Sequence, residues 1–181
     1  MMKGAVMKSN LNALIVEDNS SDAELLVVEL RKYFEVTHRC VQTEDAFLDA
    51  VNPTIDIILA DYSLPQFGAL RVLVLLKHYK LDIPVVVVSG TVGEEVAVKT
   101  IKEGACDYLL KDRLARLGVA VTHAIDEKRL LREKKRASIE LREKLEELEK
   151  LTEIMMGREE RILELKAEIE ILKAQVLEVA R

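Results

Sequence analysis

Two stretches decide the fold class: IDIILADYSLP (residues 55–65) and IPVVVVSGT (residues 83–91). Each is an unbroken run rich in β-branched residues, closed by a polar residue and a turn signal. Runs without polar alternation suit strands covered on both faces, as in a parallel sheet. Working outward, Leu11–Val16 and Asp107–Leu110 read the same way, and Val36–Val41 is a weaker version. Helical patterns fall between them. Ser21 to Glu24 forms a capping box ahead of Ala23, Leu26, Leu30 and Tyr33 at helical spacing. Thr43 with Glu44 and Asp45 opens a second helix, and residues 69–79 form a third. Thr91 to Glu94 caps a fourth that stops at Gly104, and a fifth begins between Asp112 and Gly118. The order βαβαβαβαβα predicts an α/β fold with a doubly wound, five-stranded parallel sheet.

Composition splits the chain in two. Of the 181 residues, 33% are charged and 49% hydrophobic, enough apolar material for a core. Residues 126–181 hold 14 basic and 15 acidic side chains, whereas all three prolines and six of seven glycines precede residue 126. A globular domain over 1–125 and a helical coiled-coil tail over 126–181 are therefore expected. The net charge of −5 disfavours bulk attraction to nucleic acid, and the absence of Trp argues against a stacking platform. No apolar run is long enough to span a bilayer and residues 1–10 lack a signal-peptide core, so a cytoplasmic protein without membrane contact is expected.

A parallel sheet gathers its strand C-termini on one edge, where such folds bind ligands. The residues placed there are Glu17 and Asp18 after strand 1, Asp61 after strand 3, Ser89, Gly90 and Thr91 after strand 4, and Lys111 after strand 5. With strand order 2-1-3-4-5, strands 1 and 3 are neighbours and three carboxylates converge. Like charges so close call for a cation, and oxygen ligands suit Mg²⁺. A hydroxyl and a lysine across the pocket suit a phosphoryl group, with Ser89 bonding one oxygen and Lys111 neutralising another. Asp61 is left as the nucleophile.

Residues 10–125 resemble the receiver domain of bacterial two-component response regulators. The motifs that carry the likeness are Glu17-Asp18 in LIVEDN, Asp61 in IDIILADYSLP, Ser89 in VVVVSGT, Lys111 in DYLLKD and Tyr108 three residues before that lysine. The resemblance implies a flavodoxin-like fold and a phosphoryl group accepted by Asp61 from a sensor histidine kinase. It also implies Mg²⁺ held by Asp18, Asp61 and the Ser63 backbone carbonyl, with Glu17 acting through water. Ser89 and Tyr108 become the switch pair. Such a protein is no enzyme beyond catalysing its own phosphorylation and dephosphorylation. Two departures stand out: Asp112 replaces the usual proline after the lysine and is expected to cap the next helix, and Gly68 comes one residue early. Ser63 and Thr91 are expected to tune the phosphoryl lifetime. A structural adaptor with an idle pocket is the alternative, opposed by the intact set of polar residues. A flavin or hydrolase site is disfavoured because Glu17-Asp18 would repel a mononucleotide phosphate.

His38, His78 and His123 lack metal-like spacing, and Cys40 and Cys106 are placed on opposite sheet edges, too far apart to bridge. In the tail a single heptad register runs from Leu141 to Val179, with Leu141, Leu148, Met155, Ile162, Ile169 and Val176 at a. Lys144, Leu151, Arg158, Leu165, Leu172 and Val179 fall at d. Ten of these twelve are apolar, a seam that a second copy of the helix would cover, so a homodimer through 141–179 is expected. Gly157 leaves a hairpin at Met156-Gly157 open beside one continuous helix. The basic cluster from Lys128 to Arg136 is interleaved with Glu133 and reads as a solvated stem. Because the heptad reaches Val179, the tail is also compatible with a linker in a longer sensor protein.

Overall fold

The computed structural model describes residues 8–65, 67–90 and 93–179, with side chains as far as residue 171. The elements run β1 (Ser9–Val16), α1 (Ser20–Leu30), β2 (Phe34–Val41), α2 (Glu44–Ala50), β3 (Ile57–Asp61), α3 (Ala69–His78), β4 (Val85–Ser89), α4 (Glu94–Lys102) and β5 (Asp107–Leu110). A 3₁₀ segment, Lys111–Arg116, leads into α5 (Leu117–Val179). All strands are parallel, in the order β2-β1-β3-β4-β5. This is the doubly wound, flavodoxin-like arrangement the apolar runs imply.

The unbroken runs are explained by burial on both faces. Every residue of β3 and β4 is buried. Successive side chains point to opposite faces of a strand, so Ile58 and Ala60 join one core with Phe47, Phe67 and Val72. Ile57 and Leu59 join the other, with Leu26, Leu30, Leu117 and Val121. Strand β2 is an edge, and most of it is exposed, which is why its run reads weakly. Cys40 lies exposed on β2 and Cys106 immediately precedes β5; both are free thiols.

Two cap assignments need correction. The N-cap of α1 is Asn19, whose side chain accepts from the backbone N–H groups of Ser21 and Asp22, so Ser21 and Glu24 form no capping box. Asn competes as well as Ser for this position, and here it wins a helix start two residues earlier. Asp112 does not cap the last helix: it lies inside the 3₁₀ segment, whose cap is Leu110 without a side-chain bond. Thr43 does cap α2, accepting from Ala46 N–H. The fourth helix starts after Gly93, and Thr91 lies outside the described residues. Gly104, at φ +108°, closes α4.

The chain divides into two compact units, Met1–Leu131 and Arg132–Arg181. In the first, Leu117, Ala120, Val121 and Ala124 bury one face of α5 in the core. In the second, Gly157 is helical, so the chain does not turn back there. Every described side chain from Arg132 to Ile171 is exposed, Leu148 and Leu151 included. No helix among the described residues is long and apolar enough to cross a membrane.

The loop between β3 and α3 is held by close packing at Gly68. A Cβ there would stand 2.8 Å from the Tyr62 carbonyl oxygen, a backbone atom that cannot swing aside. Gly68→Ala should therefore cost about 1–3 kcal/mol of stability through overpacking, measured as a lower urea midpoint with unchanged m-value.

Candidate functional site at the carboxyl edge of the sheet

The parallel register delivers the polar residues to one edge. Val16 pairs with Ala60, Asp61 with Val88 and Ser89 with Leu110, so Glu17, Asp61, Ser89 and Lys111 leave their strands at nearly one level. Glu17 is anchored by its N–H to the Val41 carbonyl, and Tyr62 N–H donates to the Val88 carbonyl just after Asp61. The edge is thus fixed by backbone bonds before any side chain contributes.

Lys111 organises the side chains. Its ammonium donates to Glu17 Oε2 at 2.7 Å, Asp22 Oδ2 at 2.6 Å and Asp61 Oδ2 at 2.8 Å. An ammonium has three donors, and here each finds its own carboxylate. Glu17 is 2% exposed and Asp61 8%, so both charges are withdrawn from water and need these bonds. The remaining oxygens are occupied as well: Asp61 Oδ1 accepts from Ser63 N–H at 2.8 Å, and Glu17 Oε1 from Asn19 N–H at 3.1 Å. Burial pushes the Glu17 carboxyl up from its ordinary range, opposed by the hydrogen bonds from Lys111 and Asn19. Burial alone would push the Lys111 ammonium down; the hydrogen bonds to Asp22, Asp61 and Glu17 outweigh it and hold it above the ordinary lysine range.

The other sequence-predicted residues are less tightly drawn in. Ser89 is fully buried at the end of β4, and Tyr108 on β5 is half-buried against the core. Tyr108 also borders a cavity of about 210 Å³ between α4 and β5. Asp18 is exposed, its backbone carbonyl accepting from Gln42 Nε2 at 3.5 Å. The three carboxylates expected to converge were Glu17, Asp18 and Asp61. Those that meet on the lysine are Glu17, Asp22 and Asp61. Among the described residues no three His, Cys, Asp or Glu side chains form a ready metal cage.

Asp22 is the site residue that sequence reading passed over. It sits in the first turn of α1, where an acid is accounted for by the helix dipole alone. No spacing signal marks it, because its direction depends on where α1 begins, and that is set by the cap at Asn19.

The comparisons with known proteins agree with this fold. Residues 13–122 match the family model of the response regulator receiver domain, so the chain belongs to that family. Among characterised relatives, it is 27% identical over 131 residues to the two-component response regulator ARR10 of Arabidopsis thaliana, covering 71% of this chain and 24% of that protein. It is 29% identical over 116 residues to the cell cycle transcriptional regulator CtrA of Caulobacter vibrioides, covering 64% of this chain and 50% of the other. The chain thus spans between a quarter and a half of the length of such relatives. Among solved structures, NtrX from Brucella abortus in complex with ADP matches with TM-score 0.61 and 26% identity, over 72% of this chain and 29% of that one. A receiver domain protein from Clostridium thermocellum, at 22% identity and TM-score 0.55 over 67% of this chain and 98% of that one, shares the fold.

Removing the lysine should expose what it balances. Lys111→Met leaves Glu17 and Asp61 buried without their counter-charge, and breaking a buried pair in this way costs roughly 3–5 kcal/mol. With the lysine side chain still one-fifth exposed, a loss near 3 kcal/mol is expected in metal-free buffer. Chemical denaturation of the variant at neutral pH reads it.

Proposed function

We propose that this chain is a phosphorylation-controlled response regulator in which Asp61 accepts a phosphoryl group from a sensor histidine kinase. The observation that carries the reading is the meeting of Glu17 and Asp61 on the Lys111 ammonium, at the carboxyl edge of β1, β3 and β5. A nucleophilic carboxylate, a lysine ammonium and a buried hydroxyl at the end of β4 are the parts in-line phosphoryl transfer needs.

In this reading an Asp61 carboxylate oxygen attacks phosphorus while the bond to the donor imidazole nitrogen breaks. The electron pair of that bond stays on the departing nitrogen, and an acyl phosphate forms on Asp61. Lys111 turns from the carboxylates to a phosphoryl oxygen, and Ser89 donates its hydroxyl to another. Tyr108 moves inward behind Ser89 and passes the change to the face formed by α4 and β5. The donor set fits Mg²⁺: the acceptors at this edge are carboxylate and carbonyl oxygens, and Mg²⁺ is commonly held by one or two carboxylates and water. Asp18, Asp61 and the Ser63 carbonyl would hold it, with Glu17 contributing through water. When bound, the ion neutralises charge gathering on the phosphoryl oxygens.

Residues 1–125 act as the receiver and 126–181 as the tail, which pairs with a second copy through the 141–179 seam. Leu141, Leu148, Leu151, Met155, Ile162, Leu165 and Ile169 are all large apolar side chains left exposed along that seam. A stripe of this kind needs a partner helix, and an identical one is always at hand. The output is contact with other proteins in the cytoplasm, with neither nucleic acid nor membrane bound by the tail.

Two measurements test the two halves. Incubation with Mg²⁺ and acetyl phosphate should add one phosphoryl group to the wild type by intact mass and none to Asp61→Asn; labelling of the variant would move the site elsewhere. Leu148→Glu with Leu151→Glu should convert a dimer to a monomer in light scattering, and an unchanged mass would place the dimer contact outside the seam.

A further inference from the structure

The ammonium of Lys111 is shared with a carboxylate that the phosphoryl-transfer scheme does not use. Asp22 approaches it as closely as either buried acid, at 2.6 Å, and its side chain is 31% exposed where those of Glu17 and Asp61 are 1% and 9%. It reaches the site from α1, an element separate from the strands that carry the other partners. We propose that Asp22 is a positioning residue for Lys111: it offers the ammonium a partner outside the buried pair, to which Lys111 stays bound when Asp61 and Glu17 turn to another cation. This rests on the reading of Asp61 and its neighbours as a Mg²⁺-dependent phosphoacceptor site.

Two physical effects point in the same direction. Asp22 gives the ammonium an acceptor outside the Glu17–Asp61 pair, so Lys111 keeps a carboxylate partner when Asp61 is taken up by another cation. Asp22 also adds negative charge at the mouth of the site, which favours arrival of a divalent ion. A helix-start acid of ordinary kind does neither; it steadies α1 through the dipole and leaves the site's affinities unchanged. The two roles therefore separate in measurement.

The test is a titration of the full chain with MgCl₂ alone, followed through backbone amide shifts at Gly90 and Lys111, with thermal unfolding recorded in parallel. Asp22→Asn should weaken Mg²⁺ binding about three- to tenfold, the scale of one partly screened charge near a divalent ion. Asp22→Glu, which keeps the charge on a longer arm, should recover most of that loss. In acetyl phosphate labelling, Asp22→Asn should need more Mg²⁺ for half-maximal rate while keeping the rate at saturating Mg²⁺. If Asp22→Asn lowers the unfolding temperature but leaves Mg²⁺ affinity unchanged, while Asp61→Asn weakens it, Asp22 only steadies α1 and the proposal is overturned. If Asp61→Asn also leaves Mg²⁺ affinity unchanged, the metal-dependent reading of the site fails first and takes this proposal with it.

Discussion

The arrangement of the carboxyl edge depends on one ammonium group. Glu17 and Asp61 leave adjacent strands, both nearly free of solvent contact, and neither position is tolerable for an unpaired carboxylate. Lys111 removes that difficulty from β5, two strands away from β3, by spanning β4 with a flexible stem. The order β2-β1-β3-β4-β5 makes the reach possible, because it sets β1 and β3 side by side with their acids at one level. A different strand order with the same sequence pattern would bury two acids apart from each other and from the lysine. The topology and the charge constellation are thus one constraint seen from two sides.

The same constraint explains why the apolar runs are so uninterrupted. A sheet that keeps its polar chemistry at one edge can make its interior entirely apolar, and β3 and β4 do so, each ending in its single polar residue, Asp61 and Ser89. The two cores, one on each face, press the sheet from both sides and leave no slack in the strand ends. Gly68 carries that tightness into the loop after Asp61, where the chain passes too close to the Tyr62 carbonyl for any side chain. The supports of the site are backbone bonds, with Tyr62 N–H and Glu17 N–H donating to the Val88 and Val41 carbonyls of neighbouring strands.

Legibility in the sequence followed the periodicities. Strands with both faces covered, such as Val85–Ser89, announce themselves as unbroken runs, and their last residues mark the carboxyl edge. The edge strand β2 is less legible because Thr37, His38, Arg39 and Cys40 face solvent, so it begins at Phe34, two residues before its apolar run suggests. Local capping was the weaker guide. Asn19 and Ser21 are both good N-caps, and only the backbone path out of β1 chooses between them. That choice matters for the site, since a helix starting at Ser20 turns Asp22 back toward Lys111. Spacing along the chain could place Glu17, Asp61 and Lys111 together through the sheet. It could not place Asp22, whose position depends on the phase of a helix and not on the register of a strand.

The tail obeys the opposite rule. In the receiver the apolar runs of β3 and β4 are covered by the fold itself, whereas Leu148, Leu151, Met155 and Ile162 stand about half exposed or more along α5. A helix gains most of its stability from packing an apolar face against something else, and within Arg132–Ile171 no described side chain is covered. The exposed pairs on this segment, such as Lys144 with Glu140 and Arg161 with Glu164, contribute only about 0.2–0.5 kcal/mol each. They are too weak to stand in for a buried seam. In the proposed dimer, Lys144 and Arg158 at d would temper the seam without abolishing it, since long cationic side chains can lie along an apolar interface with their heads in water. In the proposed dimer, pairing of moderate strength would suit a regulator, because a difference of a few kcal/mol between receiver states would move such an equilibrium, whereas a seam of twelve apolar layers would stay closed in either state.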